Sequence, residues 1–305
     1  MASSFLGSSA MAKRLHNQLY FQRRRILVSG AFCGAYAYTC YDALSWKNEV
    51  LRMGVAGSLA NIAVETSFHF IDTVNIRSKA TTTGAEPGFK SLVNKIWQKE
   101  GLYGFGKGFS ACFYGAAACG FVYFALYKFL KGIFKDRFGS TVDMAVCYML
   151  ASFVAETLTL SVQYPYDLIK CRLQSVNYIF KYQNLPHAFR KEARKNGVRS
   201  LYNGAAAFLV TYCTFVALQF TIYEKTMSYF KATLDPATFA TRELPINCLA
   251  GFLGGVVGAA LTNSFEAVTV AKQTSPNLNI WKLIKTERLG LLTKGVWARV
   301  YYNGA

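Results

Sequence analysis

The chain has 305 residues, 52% of them hydrophobic and only 16% charged, and its 34 Lys and Arg against 16 Asp and Glu leave a net charge of +18. Soluble domains carry about 25% charged residues, so this composition excludes an acidic disordered chain and argues against an ordinary soluble enzyme. A basic, aromatic-rich, charge-poor chain fits a nucleic-acid binder or a membrane protein, and the placement of the charges decides between them.

Residues 1–24 are a basic tail. Lys13, Arg14, Arg23 and Arg24 lie in it with four serines and no acid. This is the composition of a mitochondrial targeting segment, and the tail is expected to be retained. Six nearly uncharged runs follow: Ile26–Tyr41, Gly54–Ile71, Gly108–Tyr127, Met144–Tyr166, Gly204–Tyr223 and Ile246–Phe265. Most approach the ~20 residues a helix needs to cross a ~30 Å hydrocarbon layer. The chain is therefore expected to be an all-α membrane protein with six transmembrane helices. The connections alternate in charge. Arg77–Lys107, Lys170–Arg199 and Lys272–Arg299 are strongly basic, whereas the intervening links are nearly neutral. One basic face is what the positive-inside rule expects. It accounts for the net charge without nucleic acid, which is excluded as a partner.

Seven of eight cysteines lie in the apolar runs, and the histidines His16, His69 and His187 are scattered. Neither a disulfide framework nor a metal site is expected. Gly101-x4-Gly106-Lys107-Gly108 approaches a phosphate-binding loop, but Gly108 stands where Ser or Thr is needed and no buried strand precedes it. No enzyme motif is present, and no cofactor is expected.

An internal repeat organises the chain. Pro165-Tyr166-Asp167-Leu168-Ile169-Lys170-Cys171-Arg172-Leu173-Gln174 closes one run. Phe70-Ile71-Asp72-Thr73-Val74-Asn75-Ile76-Arg77 closes another, and Ser264 to Gln273, with Glu266 and Thr269, a third. The acids Asp72, Asp167 and Glu266 are 95 and 99 positions apart. A second motif follows each: Gly106-Lys107-Gly108, Tyr202-Asn203-Gly204 and Thr293-Lys294-Gly295.

These residues resemble the mitochondrial carrier family over roughly residues 50–305. That family repeats Pro-x-acid-x-x-base three times, each followed by acid-Gly-x4-aromatic-base-Gly. The resemblance implies a three-fold pseudo-symmetric barrel in the mitochondrial inner membrane. Its repeats would run 50–141, 142–243 and, incompletely, 244–305. It also implies that each acid pairs with the base of the next repeat. Asp72 and Lys170 would form the surviving gate pair, while Asp167 would face Thr269 and Glu266 would face Asn75. Phe70 and Ser264 replace two prolines. On the opposite side, Tyr127-Lys128 lacks the acid and Tyr223-Glu224-Lys225-Thr226-Met227 lacks the base. Substrate contacts are implied seven residues after each helix-starting glycine, at Gly115 and Thr211 with Tyr212 beside it. None is cationic. Intramembrane Glu65 and Glu156 remain, suited to a cationic solute or to a proton. Lys107, Gly108, Tyr202, Gly204, Lys294 and Gly295 would hold a lipid phosphate, that of cardiolipin, at helix N-termini.

Ten residues follow Gly295, too few to span a bilayer. Residues 25–46 carry Tyr38, Tyr41 and Asp42 in the register of an even-numbered helix. A circular permutation would let them supply the last helix, with Ser29 as the third contact and both termini on the matrix side. Two functions remain open. The eroded gates favour a structural subunit of a large inner-membrane assembly, with lipids and other subunits as partners. The alternative is an active metabolite transporter.

Overall fold

A computed structural model describes residues 48–80, 88–138, 144–175, 177–287 and 290–304. The basic tail, the span at 25–46 and Ser29 lie outside the described residues. Those described are helical, with no strand among them. In chain order they form α1 (Glu49–Ser67), α2 (His69–Ala80), α3 (Phe89–Glu100), α4 (Leu102–Phe105), α5 (Phe109–Phe138), α6 (Met144–Ser175), α7 (Asn177–Phe180) and α8 (Leu185–Asn196). After the 3-10 turn Val198–Tyr202 come α9 (Ala205–Thr233), α10 (Pro236–Thr241), α11 (Glu243–Leu261), α12 (Asn263–Thr274), α13 (Ile280–Glu287), α14 (Gly290–Thr293) and α15 (Val296–Gly304).

Four of these stretches are long and apolar enough to cross a membrane: Leu102–Phe138, Val146–Ser175, Val198–Thr233 and Glu243–Leu261. They match four of the six apolar runs. The run at 54–71 is split, because α1 ends at Ser67 and α2 begins at His69. The last run is split at Thr262 in the same way. These breaks fall in the two repeats that have lost the proline. α6 carries Pro165 without interruption, since a proline removes one backbone donor while the flanking turns continue.

The chain divides into two compact units. Of the described residues, the first takes in 48–60, 120–138 and 144–155. There α1 packs closely on α5, and a methyl group on Gly54 would lie 2.9 Å from the Phe121 ring. Lys128 Nζ reaches Glu49 Oε2 at 2.6 Å. The lysine that stands in the acid's place in the Tyr127-Lys128 motif is thus paired within its own repeat. Lys131 lies 3.9 Å over the Tyr148 ring.

The second unit takes in residues 61–119 and 156–305. It holds three similar small cores, each under a short amphipathic helix. Leu92 and Ile96 of α3 pack with Val74 and Ala298. Ala188 and Leu185 of α8 pack with Ala111, Ile169 and Leu201. Leu283 of α13 packs with Ala267, Ala271 and Leu291. α8 starts cleanly because the Asn184 side chain accepts from the His187 N–H at 2.8 Å, a helix cap. In each repeat a helix starts after a glycine in the left-handed region: the long α5 after Gly108 (φ 79°), the long α9 after Gly204 (φ 90°) and the nine-residue α15 after Gly295 (φ 66°). Side-chain residues are strained there, so the three glycines mark equivalent corners.

Candidate functional site

The site is a polar network in the second unit, built by α2, α6 and α12 where the three repeats meet. Its first pair is Asp72 and Lys170. Lys170 Nζ lies 2.9 Å from Asp72 Oδ2 and 3.3 Å from Glu65 Oε2. Gln174, one turn beyond Lys170, donates from Nε2 to Asp72 Oδ2 and Thr73 Oγ1, both at 3.1 Å. The carboxylate is thereby held from two directions by the neighbouring repeat. Charge-assisted bonds of this kind are the strong ones.

The second pair differs from a plain reading of the motif. Asn75 does face Glu266, donating from Nδ2 to Oε1 at 3.1 Å. A lysine one turn further on, Lys79, joins them. Its ammonium bonds Asn75 Oδ1 at 2.7 Å and also Glu266 Oε2. Arg299 of α15 approaches the same oxygen at 2.8 Å and donates to the Thr262 carbonyl and hydroxyl at 2.6 and 2.8 Å. Glu266 is therefore not short of a cation. For Asp167 the expected face toward Thr269 does not become a bond among the described residues. Thr269 instead shares a 2.9 Å hydrogen bond with Thr211.

Two arginines strap the repeats together in parallel fashion. Arg77 donates from Nε to the Gln174 carbonyl at 2.8 Å and pairs with Glu100 at 2.8 Å. Arg172 donates from Nε to the Gln273 carbonyl at 2.8 Å and pairs with Glu192 at 2.8 Å. Arg172 also donates to Tyr182 Oη at 3.2 Å and stacks 4.4 Å over Phe180. Tyr182 in turn donates to Glu192 at 2.6 Å. Burial and that bond push the Tyr182 phenol well up from its usual range. Burial alone would raise the Glu100 carboxyl, but the bonds from Arg77 and Lys107 outweigh it and hold Glu100 below the usual carboxylate range.

The acids of the two straps occupy different motif positions. Glu100 directly precedes Gly101, whereas Asn196 precedes Gly197 and Glu192 sits four residues earlier. Four residues are about one helical turn, so the side chain stays on the same face. Lys79 stands in the same relation to Asn75. At these two positions the charge that the motif lacks is supplied one turn away, whereas one turn beyond Thr269 stands the neutral Gln273.

Gly115 lies against Tyr166, where a methyl group would meet Cβ at 3.0 Å. Tyr212 donates to the Glu156 carboxylate. The third position at the same offset from its glycine is Tyr302, which donates to Glu65 Oε1 and Oε2 at 3.2 and 3.1 Å. Lys272 faces elsewhere and donates to the Pro276 and Leu278 carbonyls at 2.8 and 3.0 Å.

Two of the lysines expected to hold lipid phosphate are paired with acids. Lys107 reaches Glu100 at 2.7 Å and Lys294 reaches Glu287 at 2.9 Å. Tyr202 Oη donates to the Ser161 carbonyl at 2.8 Å. Beside it lies an open basic pocket of about 460 Å³, lined by Arg172, Lys195, Arg199, Tyr202 and Gly204 among others.

Lys79, Arg299, Glu192 and Tyr302 are absent from a motif-based reading. The spacing of Lys79 and Glu192 from the vacant motif positions could have found two of them. The offset of seven from Gly295 could have found Tyr302. Arg299 carries no such signal.

Residues 47–138 and 143–233 match the family model described as mitochondrial carrier protein. Mitochondrial substrate carrier family protein E of Dictyostelium discoideum is 26% identical over 84% of this chain and 91% of its own length. S-adenosylmethionine carrier 1, chloroplastic/mitochondrial, of Arabidopsis thaliana is 29% identical over 82% of this chain and 73% of its own length. Mitoferrin of Dictyostelium discoideum is 27% identical, covering 76% and 77%.

Proposed function

Because the chain belongs to the mitochondrial carrier family, a family of multi-pass proteins of the mitochondrial inner membrane, we propose that it is an active solute transporter and that its solute carries positive charge. One observation carries the transport reading. The inter-repeat network on the basic side is populated, with Lys170 on Asp72 and Lys79 on Glu266. The idea of a structural subunit in a large assembly rested on gates that had lost their charges. One of those charges is displaced by a turn, with Lys79 on Glu266, and the similar proteins named above are carriers.

The sign of the solute follows from charge balance. Of the four carboxylates Glu65, Asp72, Glu156 and Asp167, Lys170 pairs with Glu65 and Asp72, and Glu156 is bonded by the neutral Tyr212. An uncompensated carboxylate in a membrane interior is costly, and a cationic solute meets that deficit. Tyr212 and Tyr302 orient two of the carboxylates and offer ring faces to a cation. Among similar proteins are S-adenosylmethionine carriers and a mitochondrial arginine transporter of Arabidopsis thaliana, whose named solutes bear a sulfonium and a guanidinium. A mitochondrial adenyl nucleotide antiporter of Xenopus laevis is also similar, so the family match alone does not choose the sign.

In this reading the basic pocket at Tyr202 and Gly204 takes a cardiolipin phosphate, and Lys107 and Lys294 do so by exchanging their acids. Both termini lie on the matrix side. The test is uptake into liposomes containing the purified full chain. Labelled arginine or S-adenosylmethionine should enter against an internal pool of the same solute, and ADP should not. Uptake of ADP in place of both cations would overturn the sign. A chain that moves no solute and co-migrates with a large complex in mild detergent would restore the subunit reading.

A further inference from the structure

The network holds a lysine, Lys79, at the repeat position that Gln174 and Gln273 occupy in the other two repeats, 95 and 99 positions apart. Lys79 is fully enclosed, with its side chain 0% exposed. Lysines are almost never fully buried unless paired. Its ammonium bonds Asn75 Oδ1 and Glu266 Oε2. The aliphatic stem passes beneath the start of α15, where a methyl group on Gly295 would meet first Ser78 Oγ and then Lys79 Cε at 3.2 Å. The glycine corner of the third repeat thus closes over Ser78 and Lys79 together. Asn75 and Lys79 are four residues apart and share one face of α2. Asn75 uses both ends of its amide, donating to Glu266 and accepting from Lys79.

We propose that Lys79 is the gate base between the first and third repeats, taking over from one helical turn away the charge that the motif position Asn75 lacks. Asn75 acts as the spacer that lets the longer reach succeed. Arg299 belongs to the same repeat as Glu266 and makes the second ion-pair contact to the same oxygen. When Lys79 withdraws on opening, Arg299 keeps the carboxylate paired. Lys79 is thus a positioning residue that closes the gate, and Arg299 is the counter-ion that permits opening. The uptake arm of the test rests on the transport reading, and the thermal arm does not.

The experiment compares the full chain with Lys79→Gln and with the double variant Asn75→Lys/Lys79→Gln, which moves the charge back to the motif position. Unfolding is followed in detergent without solute, and uptake is measured in liposomes. Lys79→Gln is expected to lower the melting temperature by about 5 °C or more and to cut uptake about ten-fold. The double variant should recover most of both, within about 2 °C of the parent. A merely structural lysine would not be rescued by a charge placed one turn earlier. If Lys79→Gln yields no folded protein, folding of the double variant still supports the proposal. A Lys79→Gln chain as stable as the parent overturns it, as does a double variant no better than the single one. Should the parent move no solute, the melting comparison decides alone.

Discussion

Replacing Arg172 tests the strap between the second and third repeats. Its side chain is 1% exposed. It donates to the Gln273 carbonyl at 2.8 Å and to Tyr182 at 3.2 Å, and it pairs with Glu192 at 2.8 Å. Glu192 is itself only 6% exposed. Removing one partner of a buried pair leaves the other charge stranded, at a cost of about 3–5 kcal/mol. Arg172→Met is therefore expected to destabilise by that amount. At about 2–4 °C per kcal/mol for a chain of this size, melting should fall by roughly 6 °C or more. Arg172→Lys keeps the charge but loses the planar fork that serves Gln273 and Glu192 together. Loss of one charge-assisted bond predicts about 1.5–3 kcal/mol. Adding Glu192→Gln to Arg172→Met should recover part of the loss, since no bare carboxylate remains. Thermal unfolding of the purified chain in one detergent measures all three variants. The reasoning is refuted if Lys and Met at this position are equally damaging, or if the double variant is no more stable than Arg172→Met.

Two further outcomes follow from the same geometry. The Glu100 carboxyl is held below its usual range, so its contribution to stability is complete above the unfolded value of about 4.3 and fades as pH falls through the lower folded value; Glu100→Gln should flatten the acid limb of a melting-temperature profile below about pH 4 and leave the neutral region nearly parallel. Gly204→Ala should cost about 1–3 kcal/mol, because φ is 90° and the added methyl group would lie 3.0 Å from Tyr164 Oη and 3.2 Å from Lys272 Cγ, whereas Gly132→Ala meets nothing within 4 Å and should be neutral or slightly stabilising in a thermal scan.

The parts legible in the sequence are those with a fixed period. Apolar runs of bilayer length announced the helices, and acids 95 and 99 positions apart announced the repeats. The pairing of Asp72 with Lys170 followed from that register. Motif spacing treats each position as filled or empty, which is where it misread the gates. A side chain four residues away on the same helix reaches the same partner, so Lys79 serves Glu266 although Asn75 holds the motif position. Glu192 serves Arg172 in the same way. Tyr302 was obscured by assigning the third contact to Ser29, outside the described residues. Counting from Gly295, as from Gly108 and Gly204, leads to Tyr302 on Glu65. Loss of the proline is no guide to where a helix stays continuous. The helix breaks after Ser67 and at Thr262, in the repeats without proline, and runs through Pro165.

Uptake of a cation by the full chain, measured beside Glu156→Gln, bears most directly on the account. Glu156 is joined to Tyr212 and takes no part in the inter-repeat straps, so its neutralisation should spare folding. Arginine or S-adenosylmethionine is expected to enter liposomes carrying the parent. The Glu156→Gln chain should take it up at least ten-fold more slowly, with an unchanged melting temperature. Equal uptake by both chains, or entry of ADP in preference to either cation, would contradict the claim that carboxylates in a gated carrier select a positively charged solute.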